Sequence, residues 1–184
     1  MKLVIVGNGP AAVSAVEAIR TYQKTGSNDV EILMFSNETT PAYAPMFLAK
    51  YAVGKLEDRQ LYLRDNGFYD RLRVKTFFGE PVDWIDDKNK KVVLQSGGEV
   101  EFDRLLIATG AAAIKPPIRG IDMGHVFVLS KLGEAKRLGA KIATSKKAVV
   151  VGAGAIGIEI ATALNEIGLN VTVVEMLDKV APTL

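Results

Sequence analysis

The apolar and polar positions of this chain change period twice, each time in the same way. Leu3, Val4, Ile5 and Val6 form an unbroken aliphatic run that stops at Gly7, and residues 148–151 do the same before Gly152. A short continuous run bounded by glycine predicts a strand buried on both faces of a parallel sheet. Behind each glycine the period becomes helical. Ala12, Val13, Val16, Ala18 and Ile19 recur on one face after Gly7, leaving Glu17 and Arg20 for water, and 155–167 carry a second apolar face that Gly168 closes. Apolar runs at 32–35, after a polar connector at 21–29, and at 171–174 return as strands, so each stretch reads β-α-β.

The middle of the chain has a different pattern. Residues 40–54 are aromatic and apolar, open with two prolines and end in a helical period. Such a stretch either packs on the core or covers a flat aromatic ligand. A third parallel strand is expected at 74–79. Residues 82–86, 91–95 and 100–102 alternate in strand fashion around turns at 87–90 and 97–98, which predicts a small antiparallel meander. The run at 105–108 returns as a strand ending in Ala108-Thr109-Gly110. After Pro116, Pro117 and Gly120 the pattern starts afresh, with a short strand at 126–129 and a helix at 132–144 ahead of the second glycine turn.

Composition narrows what this scaffold can do. The 184 residues are 48% hydrophobic and 24% charged, enough for a buried core in one or two globular domains. A net charge of +2 makes no strong field, and Lys136, Arg137, Lys141, Lys146 and Lys147 read as a solvated face, so nucleic acid is not an expected partner. The opening residues lack the apolar region of a signal peptide, and no run reaches the roughly 18 apolar residues of a membrane span. A cytoplasmic protein with no membrane partner is expected. There is no cysteine and one histidine, His125, which excludes thiol chemistry within these residues, a Ser-His-Asp triad and a histidine metal site.

The chemistry lies in the two glycine corners. Gly7, Gly9 and Ala12 fit G-x-G-x-x-G/A, and Gly152, Gly154 and Gly157 repeat it 145 residues later. The first glycine permits the tight turn, the second lets a pyrophosphate approach the backbone, and the third small residue lets helix and strand pack closely. Pro10 suits a first helical turn, whose N–H groups have no intrahelical partner and favour bound negative charge. Two turns predict two dinucleotides. Glu175 follows Gly152 by 23 residues, near the spacing of the acid that binds the ribose 2′-hydroxyl of NAD and repels the 2′-phosphate of NADP. In the first half Ser36 occupies that place if the strands align, and Glu38, two residues later, is the acidic candidate.

Taken together, Gly7-Asn8-Gly9-Pro10-Ala11-Ala12, the stretch from Pro41-Ala42-Tyr43 to Gly54, the meander leading into Asp103-Arg104-Leu105-Leu106-Ile107-Ala108-Thr109-Gly110, and the Gly152 to Glu159 turn resemble the pyridine nucleotide-disulfide oxidoreductase family. The resemblance is to its branch of NADH oxidases, coenzyme A disulfide reductases, rubredoxin and ferredoxin reductases and the flavin portion of NADH-dependent nitrite reductases. It covers the whole chain and implies an α/β, three-layer Rossmann-like FAD/NAD(P)-binding fold with a parallel sheet and a β-meander, followed by the start of a second Rossmann-like unit. The implied division is an FAD-binding domain over 1–113, lacking its C-terminal Gly-Asp strand, and the N-terminal part of an NAD-binding domain over 114–184.

The implied activity is that of an FAD-dependent NAD(H) oxidoreductase passing hydride from NADH to FAD and onward to an unidentified acceptor, a protein or a small molecule. Gly7, Gly9, Pro10, Ala11 and Ala12 would hold FAD, with Val82 near its adenine and Ala108, Thr109 and Gly110 at the crossing between domains. Gly152, Gly154, Ile156, Gly157 and Glu175 would hold NADH. Lys50, seven residues after Tyr43, and Glu159, two after Gly157, match a lysine and a glutamate that meet beside the reactive edge of the flavin. Met46 stands where cysteine-using members carry their thiol, and Pro45 where members that reduce a protein often have arginine. Such proteins are longer than 184 residues, so this chain reads as an N-terminal piece expected to be inactive alone, with a second copy of itself, as a homodimer, among its candidate partners. The competing reading is a non-catalytic nucleotide-binding or interaction module.

Overall fold

The computed structural model describes residues 1–23 and 29–181. Part of the expected connector, 24–28, and the final 182–184 lie outside the described residues. In chain order the elements are β1 (Lys2–Val6), α1 (Pro10–Tyr22), β2 (Glu31–Ser36), α2 (Leu48–Ala52), α3 (Asp58–Leu61), α4 (Phe68–Arg71), β3 (Val74–Phe78) and β4 (Val82–Asp86). Then come β5 (Lys91–Leu94), β6 (Glu99–Glu101), β7 (Arg104–Ile107), α5 (Leu132–Ile142), β8 (Lys147–Val151), α6 (Ala155–Glu166) and β9 (Asn170–Val174). The chain forms two compact units, Met1–Ala44 with Tyr62–Ala111, and Pro45–Leu61 with Ala112–Leu184.

In the first unit β3-β2-β1-β7 form a parallel sheet, with Val6 beside both Phe35 and Ile107. The unbroken aliphatic runs are explained by burial on both faces. Leu3, Ile5, Ile32 and Met34 meet Ala12, Val13 and Val16 of α1, together with Phe68 and Tyr69, on one side. Val4, Leu33 and Phe35 meet Val92, with Val82, Ile85, Leu94 and Val100 around it, on the other. These last residues belong to the antiparallel meander β4-β5-β6, so helix, sheet and meander make three layers. Phe35 and Phe77, neighbours in register, stack with centroids 4.6 Å apart near the carboxyl ends of β2 and β3.

The second unit carries its own two-stranded parallel sheet, β8-β9, so the two glycine turns belong to separate sheets. Ala148, Val150 and Val171 pack on Ile160, Leu164 and Leu169, and the same cluster takes in Ala49 of α2 and Leu138 of α5. The apolar 40–54 stretch therefore divides. Residues from Pro45 onward form a 3₁₀ turn and α2 and serve the core of the second unit. The expected strand at 126–129 is absent, since that segment pairs with no strand among the described residues. It contributes Leu129 to the core instead.

Candidate functional site

Each glycine corner is built by one recurring hydrogen bond. Gly7 N donates to Phe35 O at 2.8 Å and Gly152 N to Val174 O at 2.8 Å, each tying the end of a first strand to its return strand. Gly7 takes φ +110 and Gly152 φ +102, conformations that glycine adopts without strain. At Gly7 a side chain is excluded twice over, because a Cβ would stand 2.1 Å from Ala108 O. At Gly157 a Cβ would stand 2.0 Å from Gly152 O, so helix α6 begins almost against its turn. Ala12, at the corresponding place in the first turn, is fully buried with its methyl accommodated.

Beyond the turns the helices start in matching fashion. Gly9 and Gly154 are the N-caps, both extended, and nothing lies within 4 Å of where a Cβ would be on either. Pro10 opens α1, where its missing N–H costs nothing. No side chain caps either helix. Each turn therefore offers the unpaired N–H groups of a helix start beside a glycine without a side chain, an arrangement that fits a phosphate or pyrophosphate.

The strand exits supply the remaining polar groups. Because Val6 pairs with Phe35 and Val151 with Val174, Ser36, the last residue of β2, and Glu175, the first after β9, occupy equivalent positions. Glu175 Oε2 accepts from Ala153 N at 2.6 Å, and its Oε1 accepts from Met176 N and Leu177 N at 2.8 and 3.0 Å. These bonds, that from Ala153 foremost, hold the Glu175 carboxyl below the usual carboxylate range. Buried Ser36 instead accepts from Glu38 N at 3.1 Å, and the Tyr43 hydroxyl donates to the Glu38 carboxylate at 2.9 Å.

Asn8, inside the first turn, is fixed by the Tyr69 side chain and by a backbone carbonyl. The Tyr69 hydroxyl donates to Asn8 Oδ1 at 2.7 Å and accepts from Ala42 N at 3.1 Å, while Asn8 Nδ2 donates to Thr40 O at 3.2 Å. Burial pushes the Tyr69 phenol up. The signal for Asn8 was its place between two turn glycines; Tyr69, 61 residues away, left none.

The other named residues take these places. Val82 opens β4 half-buried against the sheet. Ala108 N donates to Val6 O at 2.8 Å, and Thr109 and Gly110 follow, exposed, beside the first turn's strand. Ala11 and Ile156 are exposed in the first turns of α1 and α6. Lys50 on α2 and Glu159 on α6 both belong to the second unit, Lys50 exposed with its Nζ 5.9 Å from the Phe47 ring centroid and Glu159 half-buried. Among the described residues no ion pair within 4.0 Å joins them. The carboxylate that senses Lys50 is Glu166, held below its usual range first by its hydrogen bond from Lys55 and to a lesser degree by the Lys50 charge. No cluster of metal-ligating groups occurs among the described residues, and none of their helices is long and apolar enough to cross a membrane.

Known proteins share this construction. The family described as pyridine nucleotide-disulphide oxidoreductase matches residues 1–184. The chain is 34% identical over 178 residues to the NADH-dependent phenylglyoxylate dehydrogenase subunit epsilon of Aromatoleum evansii, covering 97% of this chain and 41% of that one. It is 35% identical over 192 residues to the NADH oxidase of Methanocaldococcus jannaschii, covering 99% and 42%. The solved structure of the water-forming NADH oxidase from Lactobacillus brevis bound to NADH matches with a TM-score of 0.88 at 26% identity, over 99% of this chain and 41% of that one. The chain thus spans about two fifths of the length of these relatives.

Proposed function

Since the chain belongs to the pyridine nucleotide-disulphide oxidoreductase family, we propose that it is the FAD- and NADH-binding part of a flavoprotein oxidoreductase that moves hydride from NADH to FAD. The observation that carries this is the duplicated corner: two positive-φ glycines, each bonded at 2.8 Å to its return strand and each opening on an uncapped helix. Gly9, Ala11 and Ala12 bind the FAD pyrophosphate through backbone N–H groups, on the corner that Gly7 turns and Pro10 opens into the helix. Ser36 and Glu38 face its ribose, Val82 its adenine, and Ala108, Thr109 and Gly110 complete the floor. Gly154, Ile156 and Gly157 offer their N–H groups to NADH in the same way, on the corner that Gly152 turns. The functional division lies near residue 113, with FAD before it and NADH after it.

The bound flavin supplies two-electron chemistry, and the protein supplies position and electrostatics. Glu175, kept ionised by three backbone N–H bonds, accepts from the ribose hydroxyls of NADH and repels the extra phosphate of NADPH. Lys50 is the cation that favours negative charge on the reduced ring, and Glu159 the carboxylate that holds it during transfer. These residues contain no cysteine, so electrons leave without a thiol from this part of the chain.

One reductive titration of the flavin-loaded, full-length protein tests these roles. NADH is expected to bind about tenfold or more tightly than NADPH, because like charges brought together cost on the order of several kcal/mol. Glu175→Ala should narrow that ratio, and Lys50→Met should slow flavin reduction while leaving NADH affinity within about threefold. Equal affinity for the two nucleotides would overturn the role of Glu175. An unchanged reduction rate would overturn that of Lys50.

A further inference from the structure

Among the described residues two buried side-chain atoms have no hydrogen-bond partner, Thr40 Oγ1 and Glu80 Oε1. Both lie in the first unit at the carboxyl rim of its sheet, Thr40 four residues past the end of β2 and Glu80 two past the end of β3. The rim is tightly tied there. Ser36 and Phe78 are neighbours in register, Gly79 N donates to Glu38 O at 3.0 Å, and Thr40 O receives the Asn8 side chain of the glycine turn. Gly79 itself takes φ +79, with Thr39 Cγ2 3.1 Å from where its Cβ would be. Buried polar groups are nearly always satisfied, so two orphaned oxygens on one rim point to a shared cause.

The order of the strands assigns that cause. Neighbouring strands lie about 5 Å apart, and β1, β2 and β3 are consecutive in the sheet. A dinucleotide with its pyrophosphate on Gly7 and its ribose at the end of β2 reaches the end of β3 with its base. An ionised carboxylate can only accept, so Glu80 needs a partner that brings an N–H or O–H. On adenine that group is the exocyclic amine. The ribose hydroxyls have Ser36 and Glu38 within the β2 exit, and phosphate has no proton to give. Thr40, between turn and ribose, has a hydroxyl that can donate to a sugar or phosphate oxygen.

We propose that Glu80 is the residue that selects adenine in the first unit, accepting from its exocyclic amine, and that Thr40 donates to the adjoining sugar–phosphate segment. This rests on the reading that the first turn holds FAD. The test uses the FAD-depleted full-length protein, titrated with FAD and with the analogue carrying hypoxanthine, in which a carbonyl oxygen replaces the amine. The unsubstituted protein should prefer FAD by about tenfold or more, the scale of a hydrogen bond to a charged group. Glu80→Gln, whose amide can both accept and donate, should bring the two ligands within about twofold.

Thr40→Val should weaken both ligands alike, by about fivefold, without lowering the Tm of the FAD-free protein, because a buried hydroxyl without a partner is a cost to that state. The assignment of Glu80 is overturned if the unsubstituted protein binds both ligands equally, or if Glu80→Gln keeps the preference. That of Thr40 is overturned if Thr40→Val leaves affinity unchanged. A protein that binds neither ligand contradicts the FAD reading itself.

Discussion

The glycines show how much a motif letter leaves unsaid. The pattern G-x-G-x-x-G/A treats Ala12 and Gly157 as interchangeable, yet a Cβ fits at residue 12 and would stand 2.0 Å from Gly152 O at residue 157. Gly7 and Gly152 look identical in sequence and nearly so in φ, but only at Gly7 would a Cβ strike another strand's exit, at Ala108 O. That carbonyl cannot yield freely, since Ala108 N is bonded to Val6 O. Left-handed backbone costs an alanine about 1–2 kcal/mol and forced overpacking about 1–3 more. Gly7→Ala should therefore lower the unfolding free energy by about 3–4 kcal/mol and Gly152→Ala by about 1–2 kcal/mol. Denaturant unfolding, with the two units followed separately, measures both; equal losses would mean that the contact with Ala108 does not matter.

Among the elements, period and glycine placement revealed most strands and helices, because a run buried on both faces and an amphipathic helix each leave a distinct spacing. What spacing cannot reveal is the partner. The apolar end of the 40–54 stretch was legible as a face needing cover, but nothing in it says that α2 packs against α5 and α6. The expected strand at 126–129 had the right composition, yet it pairs with none of the sheet edges among the described residues. In α5 the packing produces two glycines of opposite consequence. A Cβ on Gly139 would stand 2.9 Å from Ala52 O, whereas Gly133 has nothing within 4 Å. Alanine gains up to about 1 kcal/mol in helix propensity at either place, and overpacking against backbone costs about 1–3 kcal/mol. Gly133→Ala should raise the stability of the second unit by about 0.5 kcal/mol and Gly139→Ala lower it by about 1 kcal/mol. Two unfolding curves decide this, and stabilisation by both would show that α2 and α5 are not in close contact.

At the scale of the molecule, one design is used twice, and the two return strands end differently. The return strand of the second unit ends in an acid that grips its own turn, and that of the first ends in a buried serine with Glu38 held by Tyr43 beyond it. The acid was legible in sequence because its spacing from Gly152 is fixed by one β-α-β passage. Tyr43, Tyr69, Thr40 and Glu80 were not, because they converge on the rim only through folding. The central claim is that the two corners hold different dinucleotides that exchange hydride. Its most direct test is anaerobic addition of NADH to the full-length protein as purified, following flavin absorbance. Bound FAD is expected at about one per chain, bleached by one equivalent of NADH. A protein that carries no flavin, or whose bound flavin keeps its colour in excess NADH, would contradict it.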